Sequence, residues 1–316
     1  MPRRSIFSLW VLFFVLMLTV GSVVSAQDRF SFGQPLPNGR STLEQELFLS
    51  VIVMMDNQRS RIQEKATLSW TLDVSERENG SGLLVGMKLS RIMFQVWDDT
   101  RDLSQLMYDS NRRALADEAT RAFYEGLLDA EFSVALKSDH SVESVLMPEG
   151  FPDSVAGANV PEDSEVARML PSIRNLLSGR TLSETVQQMF TLLPSEEVAV
   201  GDQWTHETEI DLPVLGKTPV HWQCRWDRLE SQSGRRFAVL AGTGKLALDA
   251  QTDINSELTV YCDQTTGFCA KAASRSVVSK TKTIQVQGVE KKAKTIGMVR
   301  SNLTLNPLGA RAQKSK

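Results

Sequence analysis

The chain has 316 residues, with 35 Lys+Arg against 38 Asp+Glu, 41% hydrophobic and 7% aromatic residues, three His and three Cys. This is the composition of an ordinary globular protein large enough to bury a real core. It excludes a small disulfide scaffold, a collagen-like or low-complexity chain and a polytopic membrane protein.

The amino terminus reads as an export signal. Arg3 and Arg4 precede an uncharged apolar stretch from Ile6 to Val20, and Val24-Ser25-Ala26 places small residues where a signal peptidase reads. Cleavage is predicted after Ala26. The apolar stretch is shorter than the roughly 20 residues a spanning helix needs, so no transmembrane segment is expected after cleavage, and the mature chain should be periplasmic or extracellular. Residues 27–42 hold Gly, Pro and Asn and are predicted to be a flexible lead-in to a single β-rich domain over 43–306, followed by a basic tail over 307–316.

Leu47 to Met55 is a β-rich run, and Ala66 to Val74 alternates apolar and polar residues with period two, as a half-buried strand does. Glu78-Asn79-Gly80-Ser81-Gly82 punctuates a hairpin, and Leu83 to Trp97 is the returning strand. Asp109-Ser110 precedes an amphipathic helix from Ala114 to Leu128. Phe132 to Leu136 and Val142 to Leu146 form a small hairpin about Ser138-Asp139-His140. A helical insert is predicted at about 164–193, split at Ser178-Gly179-Arg180. From Val198 onward every run reads β, with turn signals every ten to eighteen residues. The expected fold is α+β and mainly β: a long antiparallel meander curling into a half-barrel or sandwich with a few helices on one side.

Three cysteines must be read in an exported setting. Cys262 and Cys269 flank the turn-forming Asp263 to Phe268, so their thiols could meet across a hairpin in a disulfide, while Cys224 could pair with either. The sequence leaves all three pairings open. No CxxC or His-x-His cluster accompanies them, and no metal or other cofactor is expected.

Charge is unevenly spread. Residues 271–316 carry eleven Lys+Arg against Glu290 alone, whereas 27–270 carry 22 against 37 acids. Lys280, Lys282, Lys291, Lys292 and Lys294 are therefore candidates for contact with an anionic partner such as lipid headgroups or an envelope polysaccharide. The competing use of these lysines is to guard exposed strands against edge pairing. Nucleic acid is not an expected partner, because export removes the chain from it and no aromatic residue follows Phe268 to stack on bases.

No catalytic motif emerges. Gly80-Ser81-Gly82 lacks the spacing and the following helix of a nucleophile elbow, and Gly242-Thr243-Gly244-Lys245 continues into Leu246 where a phosphate loop needs Ser or Thr. His140, His206 and His221 are scattered singly, and Glu207 and Glu209, though on one strand face, carry no other sign of a glycosidase pair. Trp222 and Trp226 share a strand face, where they could line a ligand groove or fill a core.

The succession of a strand pair, Tyr108-Asp109-Ser110 before a helix, Phe132 to Leu136 followed by Ser141 to Val145, a helical insert, Val200-Gly201-Asp202-Gln203-Trp204, and Asp263 to Gly267 resembles an uncharacterised family of exported bacterial, planctomycete-type proteins. That family is a domain of unknown function, so the resemblance implies an envelope or secreted location and no activity. In element order the chain is also similar to the lipoprotein-carrier and lipid-binding half-barrels of the bacterial periplasm, a similarity that carries no site residue. The expected role is noncatalytic: binding of a lipid or other apolar ligand, or alternatively a structural module of the envelope that docks on an anionic partner.

Overall fold

The computed structural model describes residues 29–307 apart from 33–35, 56–57, 78–81, 100–102, 116–117, 129, 152–166, 168–172, 175–176, 213–215, 250–251 and 287–288. The predicted signal segment, the basic tail beyond Pro307 and much of the first half of the helical insert lie outside the described residues. No helix among the described residues is long and apolar enough to cross a membrane.

The first half of the chain supplies β1 (Gly39–Met55), β2 (Gln58–Glu76), β3 (Gly82–Asp98), β4 (Leu103–Asp109), α1 (Glu118–Leu128), β5 (Glu131–Lys137) and β6 (Val142–Leu146). After the insert, which contains α2 (Gly179–Gln187), come β7 (Gln203–Leu212), β8 (Gly216–Gln232), β9 (Arg235–Asp249), β10 (Thr252–Asp263), β11 (Cys269–Val286) and β12 (Val289–Pro307). All twelve strands belong to one antiparallel sheet in the order β6-β5-β3-β2-β1-β12-β11-β10-β9-β8-β7, with β4 paired to the far end of β3. The sheet is open, a half-barrel rather than a sandwich.

Topology dictates where the helices go. Both halves of the chain are meanders, and they join in the middle of the sheet where β1 pairs with β12 over Ser41↔Pro307 to Met55↔Ala293. The connection from β6 to β7 must therefore travel from one free edge to the other. It does so across the inner face, and its helix is the lid of the half-barrel. Ser178, which the sequence reading placed in a break, caps α2 by accepting from the Thr181 backbone N–H, so the helix starts at Gly179, and it ends at the C-cap Gln188, whose backbone N–H still donates to the Glu184 carbonyl.

The lid is sewn to the sheet by a buried polar relay. Gln45 on the inner face of β1 donates to Thr185 Oγ1 of α2 at 2.8 Å and accepts from Trp70 Nε1 at 3.2 Å. Leaving any one of these buried groups unpaired would cost about 1–3 kcal/mol, so the relay fixes the helix in one position. Around it lie Leu43, Leu68, Leu182, Val186 and Leu303, all buried. Leu192, just past α2, seats over Gly242 of β9, where an added Cβ would come within 2.3 Å of its Cδ2.

The stretch 27–42, read from sequence as a flexible lead-in, is tied down where it is described. Phe30 exchanges backbone hydrogen bonds with Val198, and Phe32 and Leu36 are buried. The reason is aromatic packing: the Phe30 and Phe32 rings stand edge-on to Trp226 at centroid distances of 6.5 and 5.8 Å. β1 then begins at Gly39, well before the Leu47 expected from the run of apolar residues.

The β10–β11 turn rests on Asp263. Its carboxylate accepts from the backbone N–H groups of Thr265 (2.8 Å) and Thr266 (3.1 Å) and from Arg235 Nε (2.7 Å). Burial opposes its ionisation, but these donors outweigh burial and hold the carboxyl below the usual aspartate range. A depressed folded-state value means that the stabilisation is complete above the unfolded value and is lost as pH falls through the folded one. Asp263→Ala should therefore cost about 2 kcal/mol in urea unfolding at neutral pH, and its difference from the wild type should shrink below about pH 4. A difference independent of pH would mean that the carboxylate charge does not hold the turn.

Candidate inner-face binding site

The inner face has two zones. Near the lid, the strands present large side chains that the helices and the amino-terminal segment cover. Beyond the lid the long strands continue, and the cover does not. The registers of β10, β11, β12, β1 and β2 align their inward residues in successive rungs: Ser256–Ser276–Val299–Leu49–Glu64, then Ile254–Val278–Gly297–Val51–Ile62. Further out, Lys280–Thr295–Val53–Ser60 and Lys282–Ala293–Met55–Gln58 follow on β11, β12, β1 and β2. Val53, Ile62 and Val299 are 40%, 42% and 42% exposed. Small residues at Ser256, Ser276 and Gly297 lie among the larger Ile254, Val278 and Val299, and these rungs form a mixed but largely apolar strip, the trough, with Glu64 at the edge of its first rung.

Trp222 and Trp226 do share the inner face of β8, as their spacing implied, and both lie in the covered zone. Trp226 is 1% exposed, with Nε1 donating to the Arg228 carbonyl at 3.1 Å and Phe30 and Phe32 against its ring. Trp222 is 9% exposed, donates to Thr208 Oγ1 at 3.0 Å and lies over Gly244, whose absent Cβ would stand 3.2 Å from the indole. The apolar rungs beyond the lid were missed in the sequence reading. Their signal was the run Leu47-Phe48-Leu49-Ser50-Val51-Ile52-Val53-Met54-Met55, which is apolar at both parities where a one-face-solvated strand would alternate.

The basic candidates split between the two faces. Lys280, Lys282 and Lys291 share the inward parity of Val278 and Gly297, while Lys292 and Lys294 share the outward parity of Met298 and Arg300. Lys280 and Lys282 are exposed, and among the described residues no acid pairs with either. All five lie at the end of the sheet remote from the lid, on the β11–β12 hairpin, beside the β1–β2 turn.

Cys262 and Cys269 are register partners across β10 and β11, so the hairpin reading placed them correctly. The possible disulfide between them is not formed, however: both are free thiols, as is Cys224. Instead of an S–S bond they share a hydrogen bond, which together with burial raises Cys262 well above the ordinary thiol range. Burial alone pushes Cys224 up to about 12. Cys224 and Cys262 are therefore neutral, poorly nucleophilic thiols at physiological pH.

The isolated histidines stay apart. His140 occupies the β5–β6 turn with φ 63° and stacks on Phe190 at 5.6 Å. His206 is half-buried opposite Trp222, and burial lowers its pKa. His221 meets Glu207 through Nδ1 at 3.3 Å, with both side chains largely in solvent. Among the described residues no three His, Cys, Asp or Glu side chains gather as metal ligands do.

A half-open antiparallel sheet with a helical lid over part of its inner face is the class of protein that these features define. Residues 87–307 match a family of unknown function, DUF6263, and the chain belongs to that family. No curated protein matches the chain. Among solved structures, an outer membrane channel from Pseudomonas putida F1 is similar at 9% identity and a TM-score of 0.23, over 86% of this chain and 97% of that one. The translocator domain of the autotransporter NalP from Neisseria meningitidis is similar at 7% identity and a TM-score of 0.20, over 92% and 96%. A DUF1329 family protein from Desulfovibrio piger is similar at 7% identity and a TM-score of 0.14, over 85% and 87%. Scores this low carry no argument about the role of this chain.

Proposed function

We propose that the protein is an exported, noncatalytic envelope protein that holds a lipid or other apolar ligand against the uncovered part of its inner face. The observation that carries this reading is the exposure of Val53, Ile62 and Val299 on neighbouring strands of one concave face, just where the lid ends. Scattered exposed apolar residues are ordinary on a protein surface, but a contiguous apolar face rimmed by polar residues marks a binding surface. The predicted signal over 1–26 supports export. Trp222 and Trp226 lie in the covered part of the same face on β8, four strands from β12, and do not line this strip.

The test is native mass spectrometry of residues 27–316 purified gently from the native envelope, followed by organic extraction. An extra mass that extracts as lipid is expected, and Ile62→Asp should remove it while leaving urea unfolding within about 0.5 kcal/mol of wild type, because Ile62 is at the surface of the apo chain. A bare polypeptide mass from the wild type would sink the reading. The result would then favour a structural module whose basic β11–β12 hairpin docks on an anionic envelope polymer, the role that the excess of Lys280, Lys282, Lys291, Lys292 and Lys294 over Glu290 supports.

A further inference from the structure

We infer that the ligand of the trough is an acidic amphiphile, a molecule with a long hydrocarbon tail and a carboxylate or phosphate head, whose head is held by Lys280, Lys282 and Lys291. This inference rests on the inner-face binding reading and adds to it the chemical class and the orientation of the ligand.

Along β12 the inward positions run Val299, Gly297, Thr295, Ala293 and Lys291, and on the neighbouring β11 they run Ser276, Val278, Lys280 and Lys282. Apolar and small residues thus occupy the rungs nearest the lid, and ammonium groups occupy the rungs at the open end, on the same face. From the Val299 rung to the Ala293 rung is six residues, about 20 Å at the rise of an antiparallel strand. An extended hydrocarbon tail is accommodated over that length with its polar end at the rim. At the other end it meets the covered core, where Ser301 and Leu303 of β12 and Gln45 of β1 are buried.

Charge selects the head. Lys280 and Lys282 are exposed, and neither has an acidic partner among the described residues. The acids of the inner face, Glu64 and Asp98, lie on β2 and β3, on the rungs of Leu49 and Val51 and away from the rim. A cationic head would be repelled by Lys280 and Lys282, a zwitterionic one would be attracted less than a net anion, and a neutral one would leave the attraction of these two unused. Lysine stems can also lie along the apolar tail while their ammonium groups stay in water, so the same residues contact both parts of the ligand.

The experiment compares a dansyl-labelled long-chain fatty acid with its methyl ester, titrated into the full mature chain and followed by dansyl fluorescence at low and moderate salt. The wild type should bind the acid about tenfold more tightly than the ester, the order of effect expected for a charge-assisted contact. Replacing Lys280, Lys282 and Lys291 together by Gln should abolish this preference, with ester binding unchanged. The outward-facing pair Lys292→Gln with Lys294→Gln should keep it. Raising salt should narrow the preference as exposed charges are screened.

Equal binding of acid and ester by the wild type would overturn the head-group site while leaving the apolar trough intact. An equal loss in the outward-facing variant would overturn the assignment to the inner face and favour a general electrostatic surface. Binding of neither probe would overturn this inference together with the reading it rests on. Far-ultraviolet circular dichroism of each variant separates loss of the site from loss of the fold, and an unfolded triple variant is replaced by the three single substitutions, each expected to lower the acid preference in part.

Discussion

Trp226→Ala should destabilise the protein by about 3–5 kcal/mol, the range for truncating a fully buried large aromatic side chain. Three losses combine in that figure. The indole is 1% exposed, so its removal leaves a cavity lined by side chains that cannot all collapse inward. The edge contacts from Phe30 and Phe32 go with it, and so does the Nε1 hydrogen bond to the Arg228 carbonyl. Equilibrium unfolding in urea should show a lower midpoint with a slope close to that of the wild type. A double-mutant cycle with Phe32→Ala should return a coupling of about 0.5–1.5 kcal/mol, because each substitution removes the same edge-to-face contact. A ligand-lining tryptophan behaves differently: its truncation would leave the apo chain nearly as stable as before. A change below about 1 kcal/mol in the apo protein would thus return Trp226 to the binding surface.

The same residue marks where sequence reasoning stopped. Period-two spacing placed Trp222 and Trp226 on one face of a strand, and β8 puts them there. What spacing cannot supply is the identity of whatever lies over that face. The cover on Trp226 comes from Phe30 and Phe32, almost two hundred residues earlier in the chain, in a segment whose Gly, Pro and Asn content read as a loose lead-in. Its anchoring depends on a single long-range bridge between Phe30 and Val198 and on two aromatic rings, none of which leaves a periodic trace.

Strands and turns were legible because their signals are local. Ser138-Asp139-His140 makes the β5–β6 turn, with the Asp139 carboxylate accepting from the Ser141 backbone N–H at 2.9 Å, and Asp263 to Phe268 makes the β10–β11 turn. The joining of the two halves through β1 and β12 was not legible, since no local pattern states which distant strand pairs with which. That pairing carries the candidate site: it sets Val53 and Val51 of β1 beside Thr295 and Gly297 of β12, and so brings Lys280 and Lys282 of β11 within two strands of the apolar rungs. The basic excess of the carboxy-terminal part was visible as composition, whereas its division between inner and outer faces followed only from the register. The cysteine pair shows the converse case. Proximity across the hairpin was read correctly, but proximity does not determine oxidation state, and the thiols are free.

A second large effect is expected at Gly82, where the backbone itself is the obstacle. Gly82 opens β3 at φ 138°, a conformation side chains rarely tolerate, and a Cβ placed there would stand 1.9 Å from the Leu136 carbonyl oxygen and 2.9 Å from the carbonyl carbons of Leu136 and Lys137. None of these atoms belongs to a flexible side chain that can swing away. Gly82→Ala must therefore displace β5 from β3, and the expected cost is about 3 kcal/mol or more, from backbone strain and lost ladder hydrogen bonds together. Gly39→Ala is the matched control, because Gly39 also has a positive φ, 89°, but open space around the missing Cβ; it should cost only about 1 kcal/mol. The damage at Gly82 should also be local at first. Hydrogen exchange of the β5 amides at Phe132 and Val134, which pair with Met87 and Val85 of β3, should accelerate strongly, while exchange along the β1–β12 seam changes only as far as global stability falls. Uniform acceleration across the sheet would mean that the β5–β6 hairpin and the seam open as one cooperative unit, and the steric account of Gly82 would then have to extend to the whole sheet.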